Sequence, residues 1–426
     1  MPIESSRLKN GLTVYTDHMP GTHTGLIHVH VGVGGLEGPK RDAGKAHALE
    51  HALHLGTDEF IDAEAAEHFV DAHGFTTNAY TTNVQTAYHA QGERLDPLMR
   101  YLSQVMLHPT FPVDAVAKEM SIIEEERLSS LTPETKHDMA ASYALFGSSV
   151  ARPIIGYRQP MFSADMLRDF WSRYYQVRAM AVVAVGAFSH EEVVESVKQY
   201  FDAPLGDTTE KKRKALDIRI NTTSSGLILP RGESAYLTES LPLSRELEEM
   251  FFSYDPAYRI AMDAMERWLS QEIREKRGLA YGSSLLLSET TAPGAQTLLA
   301  YTEASAKNVR PIRRLQRQLF EVDSAGYLPA LLDAKRAGHL GMLLRTLDGI
   351  EERSALHMDM LECGRVPVSI EMLAEAARDV SIPEVRAAID AIVAHTSTQP
   401  RHTHVSAPQK FLPNVDRIIR DPSRWY

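Results

Sequence analysis

Three residues in one short window have the types and spacing of a metal site. His47, Glu50 and His51 read H-x-x-E-H within Ala46-His47-Ala48-Leu49-Glu50-His51. On a helix, residues four apart project from one face, so both imidazoles can reach one ion. Glu50, three residues after His47, shares that side and stands beside the ion. Two imidazoles suit zinc, which needs a third protein ligand and an open position for water. Zinc brings the pKa of such a water down towards ~7, and a neighbouring carboxylate can take its proton and later deliver it to a leaving amine. Glu50 is that general base. In a chain with 18 histidines, a chance H-x-x-E-H is on the order of a few per cent. His54, His68, His73 and His89 lie close by, but none has the spacing of a second site, and they read as structural or surface residues.

A third ligand is offered further along, in Lys118-Glu119-Met120-Ser121-Ile122-Ile123-Glu124-Glu125-Glu126-Arg127. This reads as a helix packed through Met120, Ile122 and Ile123. Glu119 and Glu126 are seven apart, two turns along one stripe. Glu126 can coordinate, while Glu119 stands behind and orients a histidine or the bound water. Glu124 and Glu125 read as a solvated acidic face. The glycine-rich Gly32-Val33-Gly34-Gly35-Leu36-Glu37-Gly38 fails as a dinucleotide fingerprint, because its sixth position is Glu37.

These residues need elements to carry them. Leu12, Val14 and Tyr15, then Pro20-Gly21, then Leu26 to Val31 read as two strands around a turn. Helical spacing runs from Ala43 to Gly56, and again from Ala63 to Ala72, closed by Gly74. A hairpin follows at Asn78–Thr82 and Tyr88–Ala90. Helices follow at Leu95–Leu107 and Val113–Leu128, and a buried strand at Met180–Gly186. The stretch GDTTEKKRKALD, from Gly206 to Asp217, is polar and aperiodic, and its basic run reads as a solvated linker. It separates residues 1–205 from 218–426. The second half restarts with strands at Gly226–Leu229 and Ser234–Leu241, a helix at Tyr258–Lys276 and a strand at Tyr281–Leu287. In both halves a helix ends at a glycine (Gly74, Gly278) and a strand follows, which suggests duplicated α+β domains.

Composition bounds the partners. The chain has 426 residues, enough for two or more domains, and a formal net charge of −11, which argues against nucleic acid. The single cysteine, Cys363, excludes an internal disulfide framework. The first residues have no apolar core of the signal-peptide kind, and no stretch approaches the ~20 apolar residues that span a bilayer. The expectation is a cytoplasmic protein with no membrane partner.

With these residues in view, the chain resembles the pitrilysin/insulinase family of inverted-motif zinc peptidases, the inverzincins. The likeness covers Gly44, the H-x-x-E-H residues, Leu55-Gly56-Thr57 and the pair Glu119/Glu126, and its size is that of the short two-domain members. It implies that His47, His51 and Glu126 bind zinc, that Glu50 is the base and that Glu119 assists. Gly74-Phe75-Thr76-Thr77-Asn78-Ala79-Tyr80-Thr81 is similar to the family's active-site edge strand, so Asn78, Ala79 and Tyr80 would receive a substrate peptide through main-chain hydrogen bonds. Arg274-Glu275-Lys276-Arg277-Gly278-Leu279-Ala280-Tyr281 resembles the family's arginine–tyrosine pair, in which Arg274 and Tyr281 hold the substrate and stabilise the oxyanion. The glycine-rich segment before the motif departs from the usual pattern. The implied fold is two α+β domains, each an antiparallel sheet with helices on one face, forming half of a clamshell. The implied activity is zinc endopeptidase, in a homodimer or a heterodimer with a related subunit. The rival expectation is a non-catalytic, peptide-binding partner subunit.

Overall fold

The computed structural model describes residues 3–156, 161–203, 220–230, 232–288 and 294–422. In chain order the elements are β1 (Glu4–Arg7), β2 (Thr13–His18), β3 (Gly25–Val31), α1 (Lys45–Ala52), α2 (Ala63–His73), β4 (Thr76–Thr81), β5 (Thr86–Gly92), α3 (Leu95–Leu107), α4 (Val113–Ser130), α5 (Pro133–Phe146), α6 (Ala164–Tyr174), β6 (Met180–Gly186) and α7 (His190–Tyr200). They continue with β7 (Ser225–Leu229), β8 (Ser234–Pro242), α8 (Arg245–Phe252), α9 (Pro256–Ser270), β9 (Ser284–Leu287), β10 (Thr297–Ser305), α10 (Val309–Leu319), α11 (Pro329–Thr346), α12 (Ile350–Glu362), α13 (Ile370–Asp379), α14 (Ile382–Thr398), β11 (His402–Pro408) and β12 (Arg417–Ile419). The expected linker at 206–217 lies outside the described residues. Among the described residues, no helix is long and apolar enough to cross a membrane.

The strands form two six-stranded sheets, β1-β2-β6-β3-β5-β4 and β12-β7-β11-β8-β10-β9, in which five strands follow the same order while the sixth differs, β1 lying antiparallel to β2 and β12 parallel to β7. The duplication expected from the helix–glycine–strand repeat is therefore present. The sheets are mixed rather than wholly antiparallel. β6 runs parallel to β2, and β11 and β12 run parallel to β7, each reached by a long connection of the kind that parallel pairing demands.

Chain contacts separate two compact units, and neither is a contiguous half. The first holds Met1–Ser129, the stretch from Arg152, and Thr346–Glu371; the second holds Ser130–Ala151, the stretch up to Arg345, and the chain from Met372. Thus α5 belongs with the second sheet and α12 with the first. This also corrects the expectation of helices on one face. In the first unit, the main core joins Val14, Val182, Ala184 and Tyr88 to the helices, while Tyr15, Val183 and Val185 on the opposite face pack against Met358 of α12. In the second, Ala140 and Ala144 of α5 cover Leu227, Leu229 and Tyr236, away from the core built on Leu237 and α9.

Local signals explain the elements nearest the site. Asp62 caps α2 by accepting from Ala65 N, and Gly74 ends it at φ 64° in the left-handed conformation. The chain re-enters at once as β4, which among the described residues is the outer edge of the first sheet and pairs with β5. The helix expected from Ala43 is shorter, because Gly44 at φ 89° precedes its first turn and the helix ends at Ala52. The strand expected from Tyr281 begins only at Ser284.

Candidate metal centre

α1 is the floor of the site, and almost all of it is buried. Ala48, Leu49 and Ala52 are fully enclosed, and His47 and Glu50 are each 9% exposed. Gly44 makes this burial possible twice over: its positive φ suits glycine, and a Cβ there would lie 2.9 Å from the Ile155 carbonyl oxygen. α4 crosses with Val116, Met120, Ile123 and Arg127 turned inward. Ile122 was expected in that stripe, but it is about half exposed, because it lies off the i, i+4, i+7 line of the buried residues. Glu124 is engaged by Arg127 through two 2.7 Å hydrogen bonds, whereas Glu125 is exposed as expected.

The sequence-derived ligands come together. The His47 and His51 rings lie 4.7 Å apart. Glu126 reaches both, with Oε1 3.6 Å from His47 Nε2 and Oε2 3.6 Å from His51 Nε2. One ligand atom from each of the three lies within 4.8 Å of the others. These spacings are too long for hydrogen bonds, but they suit a shared ion. Ligands about 2.0–2.2 Å from a tetrahedral zinc stand roughly 3.4 Å from one another. His47 turns Nε2 toward Glu126, and burial, with the nearby His51, pushes its pKa down to about 4. An imidazole kept neutral in this way has a lone pair to give.

His51 is oriented by Glu119, whose Oε1 lies 2.8 Å from Nδ1. That contact places the proton on Nδ1 and leaves Nε2 facing Glu126. Burial alone would lower the His51 pKa, but the Glu119 hydrogen bond and the charges of Glu50, Glu119 and Glu126 outweigh it, and the net shift is upward. Glu50 is raised chiefly by burial, against a hydrogen bond from Thr81 Oγ1 to its Oε2 at 2.5 Å. A carboxylate with a raised pKa is a better proton acceptor near neutrality than an exposed one. Thr81 is the contact that sequence reasoning missed. It lies 31 positions from Glu50, and only the β4–β5 register brings it there.

A cavity of about 350 Å³ opens beside Glu50 and His51, walled by His54, Leu55, Ala63, Thr77, Asn78, Ala79 and Glu119. Asn78 and Ala79 of the edge strand therefore border the candidate centre. Tyr80 points to the other face, edge-on to His28 at 6.5 Å. His54, expected to be structural, both bonds Tyr101 Oη at 3.0 Å and lines this cavity. Arg274 and Tyr281 lie in the second unit. Arg274 sits in the widened turn Gln271–Glu275 after α9, its guanidinium 4.6 Å over the Tyr281 ring, and that ring is 85% exposed.

The site is a helix-borne His/Glu cluster fitted for a divalent metal beside a poised carboxylate and a free sheet edge. Two family models match the chain: the insulinase model of peptidase family M16 over residues 13–156, and the M16 inactive-domain model over 161–322. An uncharacterized zinc protease of Mycobacterium bovis is 28% identical over 393 residues, covering 89% of this chain and 88% of its own length. Another, from Mycobacterium leprae, is 30% identical over 305 residues, covering 69% and 67%. The first half of the periplasmic protease PqqL from Escherichia coli superposes with a TM-score of 0.77 at 17% identity over 96% of this chain and 92% of that one; against the whole of PqqL the chain covers 48%. The chain belongs to the M16 (insulinase) peptidase family. Its fold is that of two M16-type domains, about half of a full-length M16 protease such as PqqL.

Proposed function

We propose that this chain is a zinc-dependent endopeptidase acting on extended peptides or unfolded protein segments. The observation that carries the reading is the bridging position of Glu126 between two Nε2 atoms, with Glu50 one helical step away. His47, His51 and Glu126 would hold the metal, and zinc supplies, when bound, polarisation of the scissile carbonyl and a more acidic water. Glu50 takes the water's proton on its carboxylate and returns it to the leaving amine. Glu119 keeps His51 in the ligating tautomer. A peptide adds as a further strand along the outer edge of β4 at Asn78–Tyr80, displacing the Asn78 side chain that holds the Ala79 N–H at 2.9 Å. Arg274 and Tyr281 bind the substrate and donate to the developing oxyanion.

The second module matches a model described as inactive, but that description bears on residues 161–322, and the metal cluster lies within 13–156. Because the chain corresponds to half of PqqL, the working enzyme pairs two such chains, as a homodimer or with a related subunit. The test is digestion of a mixed-sequence quenched-fluorescent peptide library by the purified full chain, with zinc counted per chain. Turnover should disappear on chelation and return with added zinc. Zinc-loaded protein that cleaves nothing would contradict the proposal.

A further inference from the structure

We infer that Thr81 is the positioning residue for Glu50, and that the glycine-rich loop before α1 exists to seat it; this rests on the peptidase reading above. Thr81 is the last residue of β4, and its hydroxyl has one proton to give. The neighbouring Thr86 hydroxyl, which donates to the Val33 carbonyl at 2.9 Å, could accept that proton only at 3.4 Å, and the Glu50 carboxylate is both much closer and the stronger acceptor. The Thr81 proton goes to Glu50 Oε2 at 2.5 Å. This fixes one oxygen of the buried carboxylate and leaves the other for the water.

The position of Thr81 is set by the turn that follows it. Thr82 N donates to Gln85 O at 2.8 Å, and the Thr82 hydroxyl accepts from Gln85 N at 3.2 Å, closing residues 82–85. That turn is then pinned from two sides. On one side, Gly35 N donates to Thr82 O and Leu36 N to Asn83 O, each at 2.9 Å. Gly34 lies so close that a Cβ would stand 2.5 Å from Thr82 O and 2.6 Å from the amides of Val84 and Gln85. On the other, Gln85 Nε2 donates to Glu362 of α12 at 3.0 Å. The glycines that failed as a nucleotide fingerprint thus have a physical reason. At Gly34 any side chain would push the turn, and Thr81 with it, off Glu50.

The test uses the zinc-loaded full chain and the best-cleaved quenched-fluorescent peptide from the library. Thr81→Val should lower kcat on the order of tenfold or more, the scale of a hydrogen bond to a charged group, with KM and zinc stoichiometry unchanged. Thr81→Ser, which keeps the donor, should stay within about threefold of the parent. Gly34→Ala should lower kcat with Thr81 intact. If Thr81→Val does not fold, Thr81→Ala removes the same donor. In a Glu50→Gln background, Thr81→Val should add no further loss, because the group it serves is already gone. Full kcat in Thr81→Val, a serine variant as impaired as the valine, or a further loss in the double variant would overturn the inference. A Glu50→Gln protein as active as the parent would also overturn the inference, by removing the base that Thr81 serves, whereas a zinc-loaded parent that cleaves no peptide in the library would sink the peptidase reading itself.

Discussion

His51 stands between two carboxylates with different tasks. Glu119 holds Nδ1 at 2.8 Å, and Glu126 faces Nε2 at 3.6 Å. Replacing Glu119 with Gln should keep the fold but weaken zinc binding by roughly 10–100-fold, the usual cost of losing an outer hydrogen-bond partner of a metal ligand. Competition with a chromophoric chelator would measure this, and unchanged affinity would remove Glu119 from the site. The pH dependence has a definite sign. A proton on His51 excludes metal, and in the zinc-free protein its pKa lies above the ordinary 6.5. Zinc retention at fixed free metal should therefore begin to fall above pH 6.5 on acidification, and in Glu119→Gln that onset should move lower. At this scale the sequence was readable where chemistry follows a helical period: His47, Glu50, His51, Glu119 and Glu126 all lie within spacings of three, four or seven. Thr81 was not readable, because a contact made through strand register has no fixed spacing.

Among the elements, α12 is the one whose place no local pattern announces. It follows α11 in the second half of the chain, yet it packs on the first sheet, held there by a buried ion cluster. Asp17 accepts from Arg353 Nη1 at 2.8 and 2.9 Å and pairs with His357 Nε2 at 2.9 Å; Asp17 is 3% exposed and His357 fully buried. Burial alone would raise the Asp17 pKa, but its bonds to His357 and Arg353 outweigh that, and the net shift is below the ordinary 3.8. A depressed folded pKa means the stabilisation is complete above pH 3.8 and is lost as pH falls below it. At neutral pH, Asp17→Asn leaves the buried guanidinium with Glu371, at 3.2 Å, as its ion-pair partner among the described residues. The expected loss is about 3 kcal/mol in urea unfolding, the low end for breaking a buried pair. A loss under about 0.5 kcal/mol, the range of ordinary surface substitutions, would show the cluster to be incidental. Periodicity found helices and strands such as Leu95–Leu107 and Met180–Gly186 to the residue. It could not show which sheet α5 and α12 would cover, since apolar spacing reports that a face is buried and not against what.

Across the whole molecule, buried neutral histidines make both units acid-sensitive. Burial pushes His28 and His137 to about 3, and His30 and His402 to about 4. The unfolded chain takes these protons first as pH falls below 6.5, so each group removes about 1.4 kcal/mol of stability per pH unit. Four together outrun a typical ~5–15 kcal/mol within about two to three units. The protein should unfold between about pH 6 and pH 4, followed by near-ultraviolet circular dichroism; native packing at pH 4 would contradict this. Assembly is tested by complementation. Glu50→Gln and Tyr281→Phe proteins, each impaired alone, should regain part of their activity when mixed, if Tyr281 serves the Glu50 of a neighbouring chain. Exchange proven by tagged pull-down without recovery would refute the shared site. The central claim, that a zinc held by His47, His51 and Glu126 works with Glu50 as base, is tested most directly by zinc content and peptide turnover measured together on Glu50→Gln. The account predicts one zinc per chain, as in the parent, with turnover down by roughly 10²-fold or more. Near-normal turnover with the zinc in place would contradict it.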